Sequence, residues 1–224
     1  GKDSDRTSQM YAHGQATIVL CEAFTMTGDE RLRKPAQRAI DFIINAQHDG
    51  GGWRYGIRER GDTSVLGWQV MALKSAQTAG LRVPSDTLQG ASRFLDKVGY
   101  LNGSLYAYTE STLAAYARRL KNRDDGIPAS ASMTAEGLLC RIYLGWKPTR
   151  SEVRRGLRLL QENFPIGPST AIEDLPHATF EQYNMYYVYY ATQAYKQHGG
   201  NLWHTWNRDM RRLLVNTQIS EGPD

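Results

Sequence analysis

The chain has 224 residues, 41% hydrophobic and 22% charged, with a formal net charge of +4 and a pI near 9.0. That is enough for one large domain or two small ones with a substantial core. No apolar run approaches the ~18 residues of a membrane-spanning helix. Cys21 and Cys140 are too few and too far apart for a disulfide framework or a structural zinc site, and both sit in apolar runs where a thiol behaves as a small hydrophobe.

Residues 1–9 are polar and read as a frayed start with no signal peptide; a first residue of Gly rather than Met points to trimming, with any native leader removed. Tyr11 to Met26 is apolar on nearly all sides, the pattern of an inner helix packed on both faces. Thr27-Gly28-Asp29 makes a turn. A second, one-sided helix then runs to Gln47 with Ala39, Phe42, Ile43 and Ala46 at helical spacing, Pro35 being tolerated in its first turn. Gly50, Gly51 and Gly52 stop that helix before Trp53, and Asp62 or Thr63 caps the next. The following helix, SVLGWQVMALKSAQTAG, ends at Gly80, and Pro84-Ser85-Asp86 opens another to about Val98.

Residues 99–129 break this rhythm: the sequence predicts a long loop with a short helix from Thr112 to Leu120 and a loop signal from Asn122 to Pro128. A third pair of helices covers about Ser132 to Leu144 and EVRRGLRLLQENF to Phe164. A fourth covers about Glu181 to Gln197 and Leu202 to Gln218. Placing Cys21, Met71, Cys140 and Gln193 in register gives weak internal repeats separated by 50, 69 and 53 residues.

Arg38-Ala39, Phe42 with Ile43 and Ile44, Gln47 and then Gly52-Trp53 resemble the QW motif of squalene–hopene cyclases, whose helix–turn–helix repeats also occur in protein prenyltransferases. From MYAHG at Met10 through GDTSVLGWQVMALKSA to YYATQAYKQHGG, the chain is similar to bacterial prenyltransferase/squalene oxidase repeat proteins, known mainly from planctomycetes. The resemblance implies an all-α fold: an α/α toroid, partial or whole, of about four helical hairpins. Gln47, Gly52, Trp53 and Gln218 are its repeat-motif residues. The motif beginning near Gln218 stops short of a Trp, so a fragment of a longer chain and an open arc are both open readings. The resembled proteins are often exported.

The resemblance also locates the chemistry to be tested. Cyclases of this kind protonate an alkene with a D-x-D-D motif, which here reads Glu59-Arg60-Gly61-Asp62; Gly61 offers no acid where the proton donor belongs. Prenyltransferases hold catalytic zinc through Asp-x-Cys, which here reads Asp62-Thr63-Ser64 and lacks the thiolate. The expectation is therefore a non-cyclising repeat domain, without metal or cofactor, binding an apolar, isoprenoid-like, glycan or peptide ligand. The alternative is a terpenoid cyclase or prenyltransferase-type enzyme using other residues. Asp62 and His13 are the candidate catalytic groups. Register places His13, Asp62, Thr63 and Asn184 around one rim, with Ala131 in the third unit, and a rim of plain capping residues explains the same spacing. Thirteen tyrosines against five phenylalanines suggest aromatic walls with polar tips. Tyr183, Tyr186, Tyr187 and Tyr190 fall on one stripe, with Tyr189 and Tyr195 off it, so Trp68, Tyr183, Tyr187 and Tyr190 join Thr63 and Asn184 as cavity candidates, against a competing reading as ordinary core. Arg150, Arg154, Arg155 and Arg158 are spaced as a solvated helix face, not as a nucleic-acid surface.

Overall fold

Capping side chains and glycine turns cut the chain into helices in this computed structural model, which describes residues 9–121, 130–164, 166 and 184–218. The order is α1 (Gln9–Thr27), α2 (Glu30–Ala46), α3 (Thr63–Thr78), α4 (Ser85–Val98), β1 (Gly99–Tyr100), β2 (Leu105–Tyr106), α5 (Glu110–Lys121), α6 (Ala131–Tyr143), α7 (Ser151–Asn163), α8 (Met185–His198) and α9 (Gly200–Thr217). The fold is all-α apart from one two-residue hairpin among the described residues. Residues 1–8, the Asn122–Pro128 loop signal and Tyr183 lie outside them.

Helix starts follow the capping rule. Asp29, Asp62, Ser130 and Asn184 each accept a hydrogen bond from a backbone N–H two or three residues on, satisfying one of the donors a helix leaves free at its start. The third cap is Ser130, one residue ahead of the expected Ala131.

Helices α1, α3, α6 and α8 pack side by side in chain order, and α2, α4, α7 and α9 form a second row behind them. The first row is parallel: Tyr11 meets Ser64 near the N-terminal ends of α1 and α3, Ser132 meets Asn184 near those of α6 and α8, and Tyr143 meets Gln193 near their C-terminal ends. The core lies between the rows and includes Ile40, Ile43, Leu66, Leu73, Leu95 and Leu138, all fully buried. Position in the row sets how much of each helix is apolar. Every residue of α6 from Ser132 to Arg141 is buried, because α6 has neighbours on both sides and behind. Helix α1 sits at the end of the row, so Ala12, Ala16 and Val19 are exposed and the expected packing on both faces is not found.

The turn between α2 and α3 is fixed by short-range chemistry. Trp53 is fully buried and donates its indole N–H to the Ile43 carbonyl at 2.7 Å. Gln47 donates to the carbonyls of Gly51 (2.8 Å) and Thr87 (2.9 Å), tying this turn to the start of α4. Gly51 has φ +93, and a Cβ there would overlap the Gly90 carbonyl, so both its backbone angle and its neighbour exclude a side chain. Gln218 ends α9 with φ −66 and ψ 126, close to the −62 and 129 of Gln47 at the end of α2.

Three expectations are corrected. Pro35 lies in the second turn of α2, not the first; the carbonyl deprived of a partner belongs to exposed Arg31, where water can serve it. Phe42 is 37% exposed and flanks the buried stripe of Ala36, Ile40, Ile43 and Ala46. The expected short helix is α5, but residues 99–109 ahead of it are not a plain loop. Gly99 pairs with Tyr106 and Tyr100 with Leu105, and Tyr106 is driven into the core against Gly137, where its hydroxyl accepts from Arg141 Nε at 3.1 Å. Arg141 is itself almost fully buried, bonded to Ser92 and ion-paired with Asp96, so it clamps α6 to α4.

Two substitutions test this turn by urea denaturation. Trp53→Ala should cost about 3–5 kcal/mol, the cost of removing a buried aromatic. Gly51→Ala should cost about 2 kcal/mol or more, against about 1 kcal/mol for Gly28→Ala, whose φ is +64 but whose Cβ meets nothing within 4 Å. Equal losses at the two glycines would mean that the Gly51–Gly90 approach is not tight.

Candidate functional site

The N-terminal ends of the first-row helices hold a buried carboxylate–hydroxyl network. Asp62 caps α3 through Oδ1, which accepts from Val65 N–H (2.8 Å) and the Ser64 hydroxyl (2.9 Å). Its Oδ2 accepts from the Tyr108 hydroxyl at 3.0 Å, and Arg54 Nε stands 3.7 Å away. Tyr108 arrives by way of the hairpin: Thr63 bonds the carbonyls of Ala107 and Tyr108 and so pins that strand to the start of α3. Each hydroxyl has one proton. With Ser64 and Tyr108 donating to Asp62, Tyr11 donates to Ser64 (2.6 Å) and Tyr55 to Tyr108 (2.8 Å). Burial pushes the Asp62 carboxyl up from its ordinary range, opposed by the hydrogen bonds from Val65, Ser64 and Tyr108 and by the Arg54 charge.

The second acid is Glu136, fully buried on α6. Its Oε1 fills the space left by Gly67 on α3, where a Cβ would overlap it. The Tyr186 hydroxyl on α8 lies 3.0 Å from Glu136 Oε2 and 3.1 Å from the Ser64 carbonyl. One phenolic proton cannot serve both acceptors well. A protonated Glu136 resolves the count by donating to Tyr186, which then donates to Ser64. Burial pushes the Glu136 carboxyl well above its ordinary value in the same sense; the Tyr186 hydrogen bond opposes this and the Asp62 charge reinforces it. The Tyr190 hydroxyl lies close enough to Glu136 and Tyr186 to act on both electrostatically, but outside good hydrogen-bond geometry with either.

Toward the C-terminal ends the same four helices open into a groove of about 480 Å³. Ile18 and Glu22 of α1, Met71, Lys74 and Ser75 of α3, Tyr143 of α6, and Tyr189 and Gln193 of α8 line it. One face of Tyr189 stacks on Trp68, with ring centres 5.6 Å apart and planes 18° apart. The volume falls in the range of roughly 300–1,000 Å³ typical of small-molecule sites.

The structure sorts the expected site residues. Asp62 and Thr63 stand together in the network, and Asn184 caps α8 and bonds Ser132 at 3.1 Å on the same end of the row. His13 is not part of that group: its Nε2 lies 3.0 Å from the Ala39 carbonyl and its ring 4.4 Å from Phe42, both on α2. The tyrosine stripe is also re-phased. Tyr186, Tyr189, Tyr190 and Gln193 share the inward face, whereas Tyr187 bonds the Phe164 carbonyl and abuts Trp206, and Tyr195 stacks on Trp206. Tyr187 is therefore core, and Trp68 and Tyr190 back the groove behind Tyr189. Glu136, Tyr11, Tyr55, Tyr108 and Tyr189 were missed. The signal for Glu136 was a lone acid in the apolar run SMTAEGLLC. Among the described residues no group of three or more His, Cys, Asp or Glu side chains is placed to hold a metal ion, and no helix is long and apolar enough to cross a membrane. No protein-family model, curated protein or solved structure matches the chain.

The buried acid has a pH signature. Its folded pKa lies above the unfolded value near 4.5, so the folded state binds the extra proton. Its contribution to stability is complete at low pH and is lost as pH climbs through the folded pKa, with a slope of at most about 1.4 kcal/mol per pH unit. Glu136→Gln, which keeps shape and removes the titration, should gain melting temperature relative to wild type between about pH 4 and pH 8. A difference between the two proteins that stays constant with pH would show that Glu136 is not held neutral.

Proposed function

We propose that the chain is a ligand-binding repeat domain: an arc of an α/α toroid, similar to the helical repeats of squalene–hopene cyclases and protein prenyltransferases, that works without their cyclisation or zinc chemistry. The observation that carries this reading is the groove, to which all four first-row helices contribute and which has an aromatic floor and a polar margin. Parallel first-row helices backed by a second row support the arc. Gly61 and Ser64 stand where those enzymes need an acid and a thiolate, and Ser64 serves instead as a hydroxyl donor to Asp62.

A second reading, an enzyme acting on an isoprenoid, draws on one feature. Glu136 is an acid kept neutral among Tyr186 and Tyr190, and a neutral carboxylic acid beside aromatic faces is a plausible proton donor to an alkene. Its complete burial behind Gly67 and Tyr186 weighs against that role, since a general acid must reach its substrate.

A thermal-shift screen separates the two. Squalene analogues, isoprenoid diphosphates, short oligosaccharides and peptides are each added to the purified chain. A groove ligand stabilises by mass action, by about 2.7 kcal/mol at a hundredfold excess over its dissociation constant. The binding-domain reading predicts a shift that disappears in Tyr189→Ala and survives in Glu136→Gln, with no chemical change in the ligand. An isoprenoid converted to product, with conversion abolished in Glu136→Gln, would establish the enzyme instead. A well-folded chain that shifts with none of these ligands would contradict the groove as a binding site.

A further inference from the structure

A second cavity, of about 300 Å³, lies outside the first row and shares no lining residue with the groove. The α2–α3 connection, the C-terminal end of α4 and the start of α5 form it, with no residue from α1, α3, α6 or α8 in its wall. Gly61 and Phe94 make its apolar side. A Cβ at Gly61 would lie 2.6 Å from the Gly52 Cα and 3.0 Å from the Phe94 ring, so the chain passes there without a side chain. Around them stand Arg54, Arg60, Lys97 and His48. Arg60 and Lys97 are exposed and make no hydrogen bond or ion pair among the described residues. Arg54 has one ion pair among them, a long one to Asp62 Oδ2 at 3.7 Å. His48 accepts the Gly50 N–H at Nδ1 (2.8 Å), so the proton of the neutral ring sits on Nε2, a donor with no partner among the described residues.

We propose that this cavity binds a phosphate group, carried by a small phosphomonoester or free as inorganic phosphate. Three cations from separate segments are gathered in one small space, where they repel one another and attract an anion. The acid among the lining residues, Glu110, pairs with none of them; it occupies the first turn of α5, where a carboxylate suits the helix dipole. A phosphomonoester carries about −1.5 to −2 charges at neutral pH and three strong acceptor oxygens, enough for two guanidinium groups, an ammonium and an imidazole N–H together. A carboxylate brings one charge and two oxygens and leaves donors unanswered. A neutral ligand would cover the cations without any acceptor for their charge. A nucleic-acid strand calls for cations spread along its backbone, whereas these converge on one cavity. The site is also held in shape before any ligand arrives, because Trp53 and Gln47 fix the turn that carries His48 and Arg54.

Titration calorimetry at constant ionic strength and neutral pH, with inorganic phosphate, glycerol 3-phosphate and acetate, tests this. At least one of the two phosphates should bind with a dissociation constant of about 1 mM or below, and acetate about tenfold more weakly or worse. Tighter binding of glycerol 3-phosphate identifies a phosphomonoester site; equal binding identifies a site for free phosphate. The double variant Arg60→Gln/Lys97→Gln, with both changes on exposed side chains, should weaken the phosphate by about tenfold or more at an unchanged melting temperature. Arg211→Gln/Arg212→Gln, which removes the same charge from α9, should bind as wild type does, and so should the groove variant Tyr189→Ala. The proposal is overturned by silence from both phosphates or by acetate binding as well as they do. Phosphate binding untouched in Arg60→Gln/Lys97→Gln, or weakened equally in Arg211→Gln/Arg212→Gln, would overturn it too, and none of these outcomes bears on the groove.

Discussion

Gly67 of α3 faces Glu136 of α6, and the absence of one Cβ lets a carboxyl group fill the space between two central helices. A buried carboxylate would be costly there; a carboxylic acid is not, because it has a proton to give to Tyr186, which in turn serves the Ser64 carbonyl. Three helices are thus joined by one hydrogen-bond chain that ends at the Ser64 carbonyl, and the Ser64 hydroxyl separately links Tyr11 of α1 to Asp62. This filled N-terminal half contrasts with the other end of the row. Beyond Tyr190 the side chains become Met71, Lys74, Tyr189 and Gln193, and the space between the same helices stays open. The plug fixes the helix spacing, and the groove is what that spacing leaves.

The second row sets the frame from outside. Trp53, Gln47 and the Gly51–Gly90 approach hold the α2–α3 turn against the start of α4, so adjacent pairs are locked by backbone carbonyls and not only by apolar contact. Arg141 does comparable work between α6 and α4, spending its guanidinium on Ser92, Asp96 and Tyr106 inside the structure. The 99–109 hairpin is part of this frame. It fills the interval between the second and third pairs and delivers Tyr108 to Asp62.

Much of this was legible in the sequence because it is local. The cap at Asp62, the rim position of Asn184, the glycine turns and the apolar spacing of α2 announce themselves within a few residues, and Trp53 was visible as the residue that closes a glycine turn. What was not legible depends on distant partners. Glu136 reads as an ordinary helix charge until Gly67 is known to lie opposite. The tyrosines of α8 occupy both faces, so sequence spacing alone cannot say whether Tyr187 or Tyr189 points inward; Trp206, on α9, decides it. The two-residue strands were too short to show alternation, and residues 99–109 read as loop. His13 kept the right register but turned to Ala39, because an equivalent position along a helix does not fix which neighbour a side chain meets.

The most direct test is the protonation state of Glu136. Infrared difference spectroscopy of the folded chain at neutral pH, wild type against Glu136→Gln, reads it without assuming a ligand. The account predicts a carbonyl stretch from a protonated carboxylic acid in the wild type that is missing from the variant. Carboxylate bands alone in that difference would mean that Glu136 is ionised and that the hydrogen-bond chain joining α3, α6 and α8 does not exist as described.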